Sequence, residues 1–90
     1  MNGPLELPID GTLDLHIFRP EEVRDAVSDY VQACREKGII EVRIIHGKGI
    51  GTLREIVHAT LARIPYVESY GLADETGGGW GATVVKLKAF

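Results

Sequence analysis

The sequence predicts an α+β fold: two helices packed on one side of a four-stranded mixed sheet, a two-layer sandwich in the order β-α-β-α-β-β. Three observations carry this. Thr12 to Ile17 (TLDLHI) alternates apolar and polar residues, the period of a strand. Two segments then repeat their apolar residues at helical spacing on either side of the β-branched run Ile39 to Ile45 (IIEVRII). Finally, Ala82 to Lys88 (ATVVKLK) follows a glycine-rich turn, as the second arm of a hairpin would.

Taken in order, residues 1–11 hold two prolines and two glycines without a period, and read as an extended or frayed lead-in to one domain over residues 12–90. In the first strand Leu13, Leu15 and Ile17 share one face, with Asp14 and His16 on the other. The first helix opens with Pro20, whose fixed φ suits a first turn, and with Glu21 and Glu22 at the positive end of the helix dipole. Val23, Ala26, Val27, Tyr30, Val31 and Cys34 form its apolar stripe, and Gly38 is its expected left-handed cap. Cys34, on that stripe, reads as a small core residue. The second strand ends at HGKGIG. Thr52 and Glu55 have the spacing of a capping box ahead of Leu53, Ile56, Val57, Leu61 and Ile64, and Pro65 ends that helix. His58 reads as a surface or boundary residue of this helix, with nothing to make it a ligand. A third strand is expected over Tyr66 to Leu72, paired with the fourth. Right-handed crossovers then make the first three strands parallel, with the fourth antiparallel to its neighbour.

Ninety residues leave room for one modest core and for a shallow surface cleft, with no space for a walled cofactor cavity. One cysteine rules out a disulfide framework and suits a reducing, cytoplasmic setting; no CxxC or HExxH spacing offers a zinc site. The segment MNGPLELPID lacks the basic and apolar regions of a secretion signal, and no apolar run approaches the roughly 18 residues of a membrane span. The net charge of −3 argues against a strongly basic binder, but it is unevenly spread. Residues 1–41 carry nine acids and four bases, residues 42–90 four acids and six bases. Eleven glycines exceed the usual share of roughly 7%, and most of them sit in two clusters.

Those clusters mark a site. In open α/β sheets ligands gather beyond the carboxyl ends of parallel strands, and three polar motifs fall there: Asp14 with His16, the HGKG segment, and Gly77 to Gly81. A carboxylate two residues from an imidazole can orient it for acid-base work; the plainer reading is a solvated strand face. In His46-Gly47-Lys48-Gly49-Ile50-Gly51-Thr52 the alternate glycines let backbone N–H groups approach an anion, ahead of a helix start. Lys48 adds a mobile positive charge. The spacing matches neither a Walker A loop nor GxGxxG, since Thr52 stands where the third glycine belongs. The turn with Gly77, Gly78, Gly79 and Gly81 has more glycine than a tight hairpin needs, which suits close backbone approach to a ligand. Trp80 at its tip would either stack on a base or fold over the sheet.

The combination LDLH (Leu13 to His16), IIHGKGIGTLR (Ile44 to Arg54) and GGGWGATVVKL (Gly77 to Leu87) resembles the Smr, or small MutS-related, domain family, over nearly the whole chain from about residue 9. The resemblance is to a stand-alone member. It implies a fold similar to the C-terminal domain of translation initiation factor 3, and endonuclease activity on branched or nicked DNA or on mRNA at stalled ribosomes. DNA or RNA, or the ribosome, would be the partner of a monomer or weak homo-oligomer. The family's DxH motif falls on Asp14 and His16, its HGxG motif on His46, Gly47 and Gly49, and its glycine turn on Gly78, Gly79, Gly81 and Thr83. Ile17 departs from the LDLHG form.

The expected chemistry is phosphodiester cleavage. One of His16 and His46 would take a proton from the attacking oxygen and the other would protonate the leaving one, with Asp14 orienting His16. Gly47, Lys48, Gly49, Gly51, Thr52 and Arg54, with Gly78, Gly79, Trp80, Gly81 and Thr83, would hold the phosphates. Asp14 is the one carboxylate clearly at this edge, with Asp74 and Glu75 more remote, so cleavage without cofactor or metal is expected; a divalent-metal requirement is the alternative that chelation would expose. The competing readings are a module that grips nucleic acid or the ribosome without cutting and, ranked last, a binder of small phosphates or nucleotides.

Overall fold

A computed structural model describes residues 8–47, 51–73 and 81–90 of the chain. The elements run β1 (Thr12–Asp14), a 3₁₀ turn (Leu15–Ile17), α1 (Pro20–Glu36), β2 (Glu41–Ile45), α2 (Thr52–Ala62), β3 (Val67–Leu72) and β4 (Ala82–Leu87). They form a single four-stranded sheet in the order β1-β2-β4-β3, with β1 parallel to β2 and β4 antiparallel to both β2 and β3. The first three strands therefore run the same way, as expected, with β4 inserted between β2 and β3. The carboxyl ends of β1, β2 and β3 share one edge of the sheet with the start of β4.

Both helices cover the face bearing Leu13, Val42, Ile44, Val85 and Leu87, all essentially inaccessible to solvent. The α1 stripe read from the sequence is buried in full, from Val23 to Cys34. Each buried Val or Leu contributes roughly 1.5–3 kcal/mol by leaving water, which is why the helical period was so legible there. Glu22 accepts a hydrogen bond from the Arg19 backbone N–H at 2.8 Å, closing the start of α1, and Gly38 closes its end at φ 83°. The Tyr30 hydroxyl accepts from the Gly11 N–H at 3.1 Å and donates to the Thr12 carbonyl at 2.9 Å. It ties the end of the lead-in, where Ile9 packs on the core, to the start of β1.

β2, β3 and β4 are each one or two residues shorter than the sequence suggests, and two further boundaries differ in ways that shape the site. β1 stops at Asp14, because its carboxylate accepts the His16 N–H at 3.0 Å and folds the next three residues into a 3₁₀ turn. Leu15 stays buried, but Ile17 is 62% exposed instead of facing the core. In α2 the N-cap is Gly51, at φ 89°, so Thr52 is the first helical residue and the N-cap itself has no side chain with which to cap the helix. The expected Thr52–Glu55 capping box is therefore absent.

Candidate active site

The edge gathers the sequence motifs on two faces. Asp14 lies opposite Ile45 in the β1–β2 register, one step from the inward Leu13–Ile44 pair, so it belongs to the face away from the helices. There the His16 Nδ1 lies 2.9 Å from the Asp14 Oδ1. A carboxylate only accepts, so Nδ1 carries the proton and Nε2 is the nitrogen left for a ligand. Both side chains are open to solvent, and the hydrogen bonds from His16, backbone first, hold the Asp14 carboxyl below its ordinary pKa. The pair thus survives the loss of the strand that predicted it: the turn brings the two side chains together, where a strand would only have aligned them.

His46 behaves differently. It follows Ile45 and points to the helix face, where it is 8% exposed. Its Nδ1 is 3.2 Å from the Gly47 carbonyl and its Nε2 is 2.8 Å from the Thr83 hydroxyl. The same hydroxyl is 2.8 Å from Nε2 of His58, whose ring packs against Tyr70 at 5.0 Å. Burial, with the charge of Arg54 adding, pushes His46 below the ordinary histidine pKa; burial, followed by His46 and Arg54, does the same to His58. The His16 ring contacts Asp14 on the outward face, whereas the His46 ring turns inward to Thr83. The sequence reading also missed His58. Its signal was Thr83, a hydroxyl in the inward phase of β4 beside Val85 and Leu87, which had to find a partner.

Thr83 itself is fully buried, its hydroxyl taken up by the two imidazole rings. Gly81 is buried too, and its carbonyl accepts the N–H groups of His46 and Gly47, each at 2.9 Å. The inner ends of the two glycine motifs are thereby stitched together. Gly47, exposed at φ 84°, Gly51, Thr52 and Arg54 surround the start of α2, and the Arg54 Nη2 lies 2.9 Å from the position a Cβ on Gly51 would take. Lys48, Gly49, Gly78, Gly79 and Trp80, with Asp74 and Glu75, lie outside the described residues. Among the described residues no three potential metal-ligating side chains cluster, and no helix is long and apolar enough to cross a membrane. The backbone at Ile17 is not left-handed, so this position does not need the glycine of the LDLHG form.

The Smr domain model matches residues 13–88, spanning every element from β1 to β4. The chain belongs to the Smr family. In fold this Smr domain is similar to the crystal structure of the Smr domain of Thermus thermophilus MutS2, with a TM-score of 0.81 and 35% identity over 86% of this chain and 96% of that one. It is similar as well to YdaL, a stand-alone small MutS-related protein from Escherichia coli, with a TM-score of 0.82 and 32% identity over 90% of this chain and 66% of that one. Among curated proteins it is 43% identical over 80 residues to the endonuclease MutS2 of Thermomicrobium roseum, and 38% identical over 81 residues to that of Halothermothrix orenii. Those matches cover 89% and 90% of this chain but 10% of each relative, so the chain spans about a tenth of their length. Family membership supports a nucleic-acid-binding, nuclease-type function.

Proposed function

We propose that this Smr domain is a nucleic-acid endonuclease whose proton-transfer group is His16, oriented by Asp14. The observation that carries the reading is the Asp14–His16 pair, with Nδ1 tied to the carboxylate at 2.9 Å and Nε2 turned to solvent. At the same edge of the sheet, α2 begins at a left-handed glycine that itself offers no capping side chain, so its first N–H groups and positive dipole end can receive a phosphate, and Arg54 adds charge at the helix start. A long polyanion can lie across so shallow an edge without a pocket. His16 Nε2 would take the proton of the attacking oxygen or supply that of the leaving one, in a phosphodiester of DNA or RNA. The MutS2 relatives are named endonucleases, which supports the activity proposed.

The test incubates the protein and its His16→Ala variant with labelled RNA and supercoiled plasmid, with and without EDTA. The variant is expected to lose cleavage by about 10²- to 10⁴-fold, the usual range for a general acid or base. A variant as active as the parent overturns the assignment, and activity that EDTA abolishes and magnesium restores replaces it with a metal mechanism. A 2′,3′-cyclic phosphate end on RNA would identify the 2′-hydroxyl as attacker. One observation favours the second reading, binding without cutting: of His16 and His46, the two histidines expected to share the proton transfers, only His16 keeps a ring nitrogen without a partner among the described residues. Salt-sensitive binding with intact substrate selects it.

A further inference from the structure

His46 lies at the start of the glycine loop, where a catalytic histidine was expected, yet its ring is fully committed within the protein. The Gly47 carbonyl can only accept, so the Nδ1 at 3.2 Å from it carries the proton. In the neutral ring Nε2 then holds a lone pair, and the Thr83 hydroxyl at 2.8 Å must donate to it. A hydroxyl has one proton to give. Having given it to His46, the Thr83 oxygen can only accept from the second ring at 2.8 Å, which fixes His58 as its Nε2–H tautomer. The chain of hydrogen bonds runs one way, from His58 through Thr83 and His46 to the Gly47 carbonyl. Every polar side-chain atom buried here has a partner.

We propose that His46 is a positioning residue, held by His58 through the Thr83 hydroxyl, and that it anchors the first peptide of the glycine loop while proton transfer stays with His16. What is anchored is specific. Gly47 has a left-handed φ of 84°, its N–H and that of His46 converge on the Gly81 carbonyl, and its own carbonyl is held by the His46 ring. Gly47 is thus held through both its N–H and its carbonyl at the junction of the two glycine motifs. A ring used in this way cannot also shuttle a proton to substrate without releasing the loop that would hold it. The division of labour rests on the endonuclease reading; the anchor does not.

Two measurements separate these claims. In ¹⁵N-labelled protein near pH 8, two-bond nitrogen–proton correlations report each imidazole tautomer. His46 is expected as Nδ1–H and His58 as Nε2–H, with Thr83→Val releasing the single tautomer of His46 and Thr83→Ser retaining it. A wild-type His46 in the Nε2–H form, or a Thr83→Val protein with both rings unchanged, overturns the proposal. In the cleavage assay, His46→Asn keeps an N–H donor for the Gly47 carbonyl while His46→Leu removes it. The Asn variant is expected to retain at least about tenfold more activity than the Leu variant, whereas loss of a proton-transfer group would disable both by about 10²-fold or more. Equal loss in two variants with native far-ultraviolet circular dichroism would refute the positioning role. Should no form of the protein cut nucleic acid, the endonuclease reading fails alone and the tautomers still decide the anchor.

Discussion

A threonine on the inward phase of a strand is a small departure from the apolar pattern, and Thr83 organises more of the site than its size suggests. Its single hydroxyl satisfies two imidazole nitrogens at 2.8 Å each, 37 and 25 residues away in sequence. Thr83→Val keeps the shape but strands the His46 lone pair and the His58 N–H in a site that water reaches poorly. Leaving one buried polar group unpaired costs about 1–3 kcal/mol, so a loss of that order is expected in urea unfolding, with Thr83→Ser close to wild type. A Thr83→Val protein as stable as its parent would mean that water replaces the hydroxyl. Asp14 and His16 could be read from two letters and their spacing because their contact is local. The Thr83 network could not, since nothing in the sequence says that α2 lays His58 over the fourth strand.

At the scale of elements, what was legible is what depends on periodic burial. The α1 stripe, the parallel β1–β2 pair and the β3–β4 hairpin all follow from apolar spacing, and all are present. The misreadings occur where a polar group or a glycine decides a boundary. Leu13 and Leu15 are buried whether the chain runs on as a strand or turns after Asp14, so alternation alone could not reveal the turn. The capping-box reading failed by one residue: Gly51 takes the N-cap position in the left-handed region, and the threonine that seemed to cap is already helical. Gly51 is therefore needed for its φ of 89°, while a Cβ there would also meet the flexible tip of Arg54, Nη2, at 2.9 Å and push it aside. Gly51→Ala should destabilise the domain by about 1–2 kcal/mol, the usual penalty for a side chain in that conformation, and should displace Arg54. A thermal midpoint unchanged from wild type would show that this helix start is softer than its geometry implies. The same exchange should weaken binding to single-stranded oligonucleotides, with a shallower dependence on salt if Arg54 is a phosphate contact.

For the molecule as a whole, the buried histidines make stability depend on pH in a direction that can be worked out. His46 and His58 both titrate below the ordinary histidine pKa in the fold, because burial disfavours their charged forms and Arg54 adds to the effect. The unfolded chain then binds more protons than the folded one at pH values between the two pKa positions, so stability rises with pH through that window. Above about pH 7 both states hold neutral rings and the contribution vanishes; below about 6.5 stability falls until the folded pKa values are passed. The slope has a ceiling of about 1.4 kcal/mol per pH unit for each proton, reduced at His58 by its partial exposure. The two rings will not charge together, since their centroids are 6.4 Å apart and both Nε2 atoms face one oxygen. Among the described residues the groups gathered around them are Arg54 and Tyr70; His16 makes its contact with Asp14 on the other face. Asp14 works oppositely from the histidines in charge but alike in sign: its lowered carboxyl pKa gives stability that is lost only in strong acid, well below the histidine window. Thermal unfolding between pH 8 and pH 5 should therefore show a midpoint that is flat, then falls below about 6.5, and His58→Gln should flatten that fall. A midpoint independent of pH over this range would mean that the Thr83 network accepts a proton as readily as water does.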